Sequence, residues 1–339
     1  MQNALQKKYW LISLCLAVVF LCNMGVPGNG VFVAGAQPLG TVFVGGFPVG
    51  LELKPRGVIV VGAAAVETEL GNVVVQDSPL HNGDVIESIN GREIRSAVDI
   101  AAVLADTDEM TADVCVRRGT ALLHITVGLI REDMTNAKRL GLQIRESIMG
   151  VGTVTYVRED GSFGCLGHPI TLENGTMAPC ETGACYDCKI LGCNKGVRGK
   201  AGELKGAFVG SASVGSLYKN CRSGVYGRFD HYAGGERVEV TGRKNVRVGK
   251  ASILATVGDA TESYAIEIVK TAVQNTVADK SMIVRVTDKR LLAATGGIVQ
   301  GMSGSPILQD GKLVGAITHV FVSDPTKGYG IYADWMLQN

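Results

Sequence analysis

The stretch "QGMSGSPI", residues 300–307, surrounds Ser303 with small residues and a proline, then runs into apolar sequence. Two readings are open: a tight bend between strands, or a nucleophile held on a turn. A serine hydroxyl is a weak nucleophile unless an imidazole takes its proton, and the oxyanion it creates needs donors already aimed at it. Glycine at 301 lets the backbone N–H groups of Gly301 and Ser303 face one point, which side-chain bulk would obstruct. The glycines therefore have a chemical reason to be there, provided the chain also carries a base.

Outward from this stretch, the last residues read as a turn at Asp310-Gly311, a strand "LVGAITHVFV" and the segment "GYGIYADWML". Upstream, "GVGTVTYVREDGSFGCLGHPIT", residues 150–171, predicts a hairpin with an Asp160-Gly161 turn and a return strand ending at His168. Glycine makes up 45 of 339 residues and apolar residues 46%, which suits many short strands and tight turns, not disorder. The expected class is mainly β, with a barrel or sandwich from about residue 140. His168 is the candidate base, a turn histidine being the alternative; His231 and His319 read as structural.

The length predicts two domains and an appendage. Residues 40–130 alternate strands and turns around one helix over about 96–105, with Ser96 as its N-cap. An Asn90-Gly91 turn precedes that helix, and a hairpin turning at Arg118-Gly119 follows it. His81 and His124 have no partner in view and read as structural. The formal net charge is +1 and no basic run is interleaved with aromatics, so nucleic acid is excluded as a partner.

Residues 9–26, "YWLISLCLAVVFLCNMGV", follow Lys7 and Lys8, carry no charge and are long enough to cross a bilayer. A transmembrane anchor and a cleaved signal peptide, with "AGA" at 34–36 as the cleavage-like site, both fit, and either exports the protein. Of nine cysteines, two lie in this segment, which leaves an odd seven outside it. Four of the seven, Cys180, Cys185, Cys188 and Cys193, fall within 14 residues; a structural zinc site, local disulfides and free thiols are all open for them.

Two partial resemblances join these readings. "SPLHNGDVIESINGREI" resembles the turn and strand of protease-associated bacterial PDZ domains, and "PVGLEL", residues 48–53, resembles their carboxylate-binding loop. That implies that Val49, Gly50 and Leu51 receive peptide C-termini by strand addition. The order His168 … Ser303, with the serine in G-x-S-G-x-P, resembles the chymotrypsin-like peptidases and implies a double β-barrel.

Over nearly its whole length the chain resembles the SpoIVB (stage IV sporulation protein B) serine peptidase family, most specifically in "FGCLGHPIT", "VRGKAGELKGAF" and residues 296–337. The implied organisation is a membrane segment at 1–35, a PDZ domain at 36–130 and a peptidase domain at 131–339. The implied roles are His168 as general base, Ser303 as nucleophile, Asp288 as orienting carboxylate, and Gly301 with Ser303 as oxyanion hole. Asp288 could instead cap a short helix "KRLLAA", with Asp230 and Asp259 as rival acids.

The resemblance also implies an endopeptidase with no cofactor required for catalysis, anchored on the extracytoplasmic side in the forespore intermembrane space. Such an enzyme cleaves itself and a membrane-bound inhibitor of sigma-factor processing. A peptide-binding scaffold with an inactive peptidase fold and an extracytoplasmic quality-control protease are the rival functions. Met302 stands where digestive enzymes carry an aspartate that pairs with a new N-terminus, so that mode of activation is not expected. Position 297, six before the serine, is glycine, so a pocket walled by 318–322 and 328–330 is expected to take an uncharged residue.

Overall fold

The structure, a computed structural model, describes residues 39–339; the apolar segment 9–26 and the cleavage-like site at 34–36 lie outside them. No described helix is long and apolar enough to cross a membrane. The chain is mainly β, and its strands form two antiparallel barrels with a module inserted into the first.

The first barrel closes as a ring. Pro48–Lys54 pairs with Ile148–Val157 on one side and Thr182–Asn194 on the other. Thr182–Asn194 then pairs with Gly215–Cys221, that strand with Gly224–Phe229, and that one with Ser162–Cys165, which returns to Ile148–Val157. Alternation along these strands turns Leu51, Leu53, Val154, Phe163, Cys165 and Val225 into one buried cluster. The predicted hairpin is present, with Gly161 at φ 81° in its turn.

The second barrel is closed in the order Gly249–Thr256, Thr261–Thr271, Met282–Val286, Lys327–Tyr332, Lys312–Val320, Pro306–Gln309. Ile253, Ile266, Val284, Ile307, Ile317 and Ile331 fill it. The turn at Asp310 (φ 53°) and Gly311 (φ 73°) adopts the left-handed conformations that a two-residue hairpin loop requires.

Between the first two barrel strands lies the inserted module. Its sheet runs Leu142–Arg145, Val58–Ala63, Val85–Ile89, Thr111–Arg118, Ala121–Gly128, covered by the helix Ala97–Ala105. The Ser96 hydroxyl accepts from the Asp99 amide at 3.2 Å, which makes it the expected N-cap. Asn174 Nδ2 donates to Asn82 O at 2.9 Å and Arg95 pairs with Glu181 at 2.7 Å, so the module touches the loop that follows His168.

This topology corrects two expectations. The boundary at 130 does not divide the modules, because Thr41–Val44 and Pro48–Lys54 belong to the first barrel's sheet and the insertion spans roughly the residues between 54 and 148. Val49, Gly50 and Leu51 are not a carboxylate-binding loop: both edges of their strand are paired, Leu51 is wholly buried, and a Cβ on Gly50 would fall 2.6 Å from the Phe208 ring. Period-two alternation marks a strand but not its partners, which are chosen by burial far along the chain.

The cysteine cluster is corrected in the same way. Cys185, Cys188 and Cys193 lie along one extended strand, where about 3.3 Å of rise per residue separates the first and last by roughly 25 Å. They cannot converge on one zinc at about 2.3 Å per thiolate. No group of three or more potential ligands is gathered among the described residues, and the four cysteines are free thiols.

Candidate active site

Ser303 sits on a loop between the helix Lys289–Thr295 and the strand Pro306–Gln309. Gly301 (φ 93°) and Gly304 (φ 97°) flank it in conformations that exclude other residues, and Met302 between them is wholly buried in the second core. A Cβ on Gly304 would fall 2.0 Å from Thr153 O, so only glycine lets the two barrels approach here.

The first barrel grips this loop by its carbonyls. The Thr153 hydroxyl donates to Gly301 O (2.8 Å), the Thr153 amide to Ser303 O (3.1 Å) and the Thr155 hydroxyl to Gly304 O (2.7 Å). The amides of Gln300, Met302, Gly304 and Ser305 all donate within the fold. Those of Gly301 and Ser303 donate to no protein acceptor among the described residues. Two alternate N–H groups are thus left free beside the serine hydroxyl, the arrangement a developing oxyanion needs.

His168 follows Leu166 (φ 66°) and Gly167 (φ 71°), two successive left-handed residues that end the strand Ser162–Cys165. Asn220 fastens the loop beyond it, accepting from the Ile170 amide at 3.0 Å and donating to Ile170 O and Ala178 O. His168 Nδ1 lies 2.9 Å from Pro169 O, an acceptor only, so that nitrogen carries the proton and Nε2 keeps its lone pair. Burial holds the imidazole below its ordinary pKa, against the opposing pull of the Pro169 carbonyl and Asp279. His168 is therefore neutral near pH 7, with Nε2 free to accept a proton.

Ser303 Oγ donates to Thr318 O at 2.7 Å, and the Thr318 hydroxyl donates to Asp279 O at 2.8 Å. The next residue, His319, lies against His168, with ring centroids 4.8 Å apart and planes inclined by 36°. His168, His319 and Asp279 share one cleft of about 480 Å³, walled by Leu51, Val151, Leu166 and Ile170. His319 read from the sequence as structural; the signal that could have marked it is its place in "THVFV", the segment expected to wall the pocket.

Asp288 is not brought to His168. Its carboxylate caps the helix Lys289–Thr295, accepting from the amides of Arg290 (2.8 Å) and Leu291 (3.4 Å), and from Ala265 N, and it pairs with the Arg290 side chain at 3.1 Å. The capping alternative is the one realised, and the expected Asp288–His168 pair is corrected accordingly. Asp230 and Asp259 are exposed, as are His81, His124 and His231. Position 297 cannot carry a side chain at all, since a Cβ there would meet Pro325 O at 2.1 Å.

A second concavity lies in the inserted module, between the helix Ala97–Ala105 and the strand Leu142–Arg145. Ile100, Leu104, Leu140, Leu142 and Ile144 line it, with Gly141 (φ 69°), Lys138 and Arg139 at one end.

The model of the SpoIVB peptidase S55 family matches residues 136–337. The regulator of sigma-W protease RasP of Bacillus subtilis is 32% identical over 87 residues, 24% of this chain and 21% of that protein. The chain thus spans about a fifth of the length of this curated relative. Among solved structures, the active form of the Rv3671c protease from M. tuberculosis aligns with a TM-score of 0.31 at 10% identity, covering 57% of this chain and 73% of that one.

Proposed function

The chain belongs to the SpoIVB peptidase S55 family and is a peptidase, and from that premise we propose that it is a serine endopeptidase of chymotrypsin-like mechanism, with Ser303 as nucleophile and His168 as base. The observation that carries this reading is the pair of N–H groups at Gly301 and Ser303 that donate to no protein acceptor among the described residues, in the loop that carries the Ser303 hydroxyl. Ser303 Oγ, released from Thr318 O by rotation about χ1, attacks the scissile carbonyl as its proton passes to His168 Nε2. The two N–H groups take the oxyanion, and His168 returns the proton to the leaving amine. Water then enters by the same route and releases the acyl group. The resting hydrogen bond to Thr318 O is consistent with a site that tightens only around substrate.

By family resemblance the enzyme acts outside the cytoplasm from a membrane tether, cleaves itself, and cuts a membrane-bound inhibitor whose loss triggers sigma-factor processing in the mother cell. Comparing full-length wild type with Ser303→Ala tests the core of this reading. Self-cleavage fragments present in the first and missing from the second are expected; identical fragments would favour an inactive scaffold.

The inserted module is read as PDZ-type, and the groove between Ala97–Ala105 and Leu142–Arg145 supports peptide C-termini as its ligands. Its apolar walls suit a terminal side chain, and its lining also carries Lys138 and Arg139, the latter paired with Glu132 at 2.7 Å. Peptides with a free C-terminus should bind in a titration followed by anisotropy, and their amidated forms should not.

A further inference from the structure

The two N–H groups beside Ser303 are aimed by the carbonyls that share their peptide units. A trans peptide unit is planar, with its N–H and C=O pointing in opposite directions, so holding one fixes the other. The Ser303 N–H shares its unit with Met302 O, which accepts from the Ser305 amide at 3.0 Å, a contact made within the loop. The Gly301 N–H shares its unit with Gln300 O, and that carbonyl accepts from the Leu204 amide at 2.8 Å, far away in the chain.

Leu204 lies in "VRGKAGELKGAF", residues 197–208, on the strand Glu203–Phe208 that pairs with Thr182–Asn194 of the first barrel. Its side chain is buried in the second core, and a Cβ on Gly301 would fall 3.0 Å from Leu204 Cβ. The loop before this strand holds the same segment. The Gln300 amide donates to Gly202 O at 2.8 Å, the Gly196 amide to Thr295 O at 2.8 Å, and Lys195 Nζ to Ala293 O at 2.6 Å. Thr153 holds the carbonyls of Gly301 and Ser303 and leaves that of Gln300 to this arm.

We infer that Leu204, through its backbone N–H, is a positioning residue that fixes the Gln300–Gly301 peptide unit and so aims the Gly301 N–H at the oxyanion. The role rests on those proposed for Ser303 and the two N–H groups, and Leu204 itself touches neither substrate nor nucleophile. Gln300 O has no second protein donor among the described residues. Without the Leu204 bond the unit would be free to turn over and set a carbonyl oxygen against the developing negative charge, the reverse of what the reaction needs.

The test applies a fluorophosphonate probe to the full chain in detergent. Ser303 Oγ bonds to phosphorus, fluoride leaves, the hydroxyl proton passes to His168 Nε2, and the phosphoryl oxygen stands where the oxyanion would. Varying the probe concentration separates its binding constant from the rate constant of bond formation. Leu204→Pro deletes the donor and is expected to slow bond formation about 100-fold, the low end of what loss of one oxyanion donor costs, with binding constant and labelled fraction little changed. Leu204→Val, which keeps the N–H, should retain most of the rate. Arg198→Ala, at an exposed position of the same loop, should match wild type, and Ser303→Ala is the unlabelled control.

A wild-type rate constant in Leu204→Pro would overturn the inference. An equal loss in Leu204→Val or Arg198→Ala would overturn it too, since packing of the arm would then be the cause. If Leu204→Pro does not fold, replacing Leu204 by its α-hydroxy acid exchanges the N–H for an ester oxygen at unchanged side chain; a slowed rate there supports the inference and a wild-type rate rejects it. Should wild type itself fail to label, the proposed role of Ser303 fails and the inference falls with it.

Discussion

The backbone amide of Thr153 donates to the carbonyl of Ser303 at 3.1 Å, while the same residue's hydroxyl donates to Gly301 at 2.8 Å. One residue of the first barrel thus holds the Ser303 loop of the second. Thr153→Val preserves shape and removes the hydroxyl, leaving the Gly301 carbonyl without its side-chain donor. A loss of about 1–3 kcal/mol in urea unfolding is expected. A fall in kcat with KM little changed should accompany it, because the free N–H groups of Gly301 and Ser303 lose their alignment.

Gly304→Ala should be more damaging. The added methyl would sit 2.0 Å from Thr153 O, and φ at this position is 97°. A cost of about 3 kcal/mol is expected, seen as a lowered Tm. Gly311, also left-handed, has nothing within 4 Å of its Cβ position, so Gly311→Asn should cost far less.

Asp288→Ala removes a helix cap and should lower stability by about 1–2 kcal/mol. Burial pushes this carboxyl's pKa up, but hydrogen bonds from Arg290, Ala265 and Leu291 outweigh it and hold the pKa below the ordinary value. With the folded pKa depressed, the stabilisation is present above the ordinary carboxylate pKa and is lost as pH falls through the folded one. Unfolding midpoints of wild type and Asp288→Ala should therefore converge in acid.

His168 and His319 both have pKa values lowered by burial, His319 to about 4. Activity should accordingly have its acid midpoint below pH 6.5, the ordinary histidine value, as read from kcat/KM against pH. Because the unfolded chain takes up protons first, this stability contribution is complete above 6.5 and declines as pH falls toward about 4. Denaturant midpoints at pH 7.5 and 5 check the sign: the lower pH should be the less stable, and His319→Ala should flatten the difference.

Substrate choice follows from Gly297. Its Cβ position is occupied by Pro325 O, so no carboxylate can project from there toward a basic side chain. Peptide-library profiling should show an uncharged residue before the cut; a preference for lysine or arginine would contradict the pocket.

The local elements were legible because each is written in short-range chemistry. Asp160-Gly161 and Asp310-Gly311 specify tight turns, Ser96 caps the helix that follows it, and "GMSGSP" around Ser303 spaces glycines as an oxyanion loop would. Even the capping role of Asp288 could be read from "TDKRLLAA". "PVGLEL" shows where such reading stops: its resemblance points to a carboxylate-binding loop, whereas pairing on both edges makes it a strand of the first barrel.

The sequence by itself determined the strands, the turns, and the candidacy of His168 and Ser303, since these depend on residue type and on neighbours a few positions away. Tertiary structure alone decided that Pro48–Lys54 belongs to the first barrel, that the cysteines of Thr182–Asn194 lie strung apart, and that His319 with Asp279 faces His168 where Asp288 does not. The physical reason is the same in each case. Burial and strand pairing bring together residues more than a hundred positions apart, and no local pattern encodes which of several suitable side chains the closed barrels will place in contact.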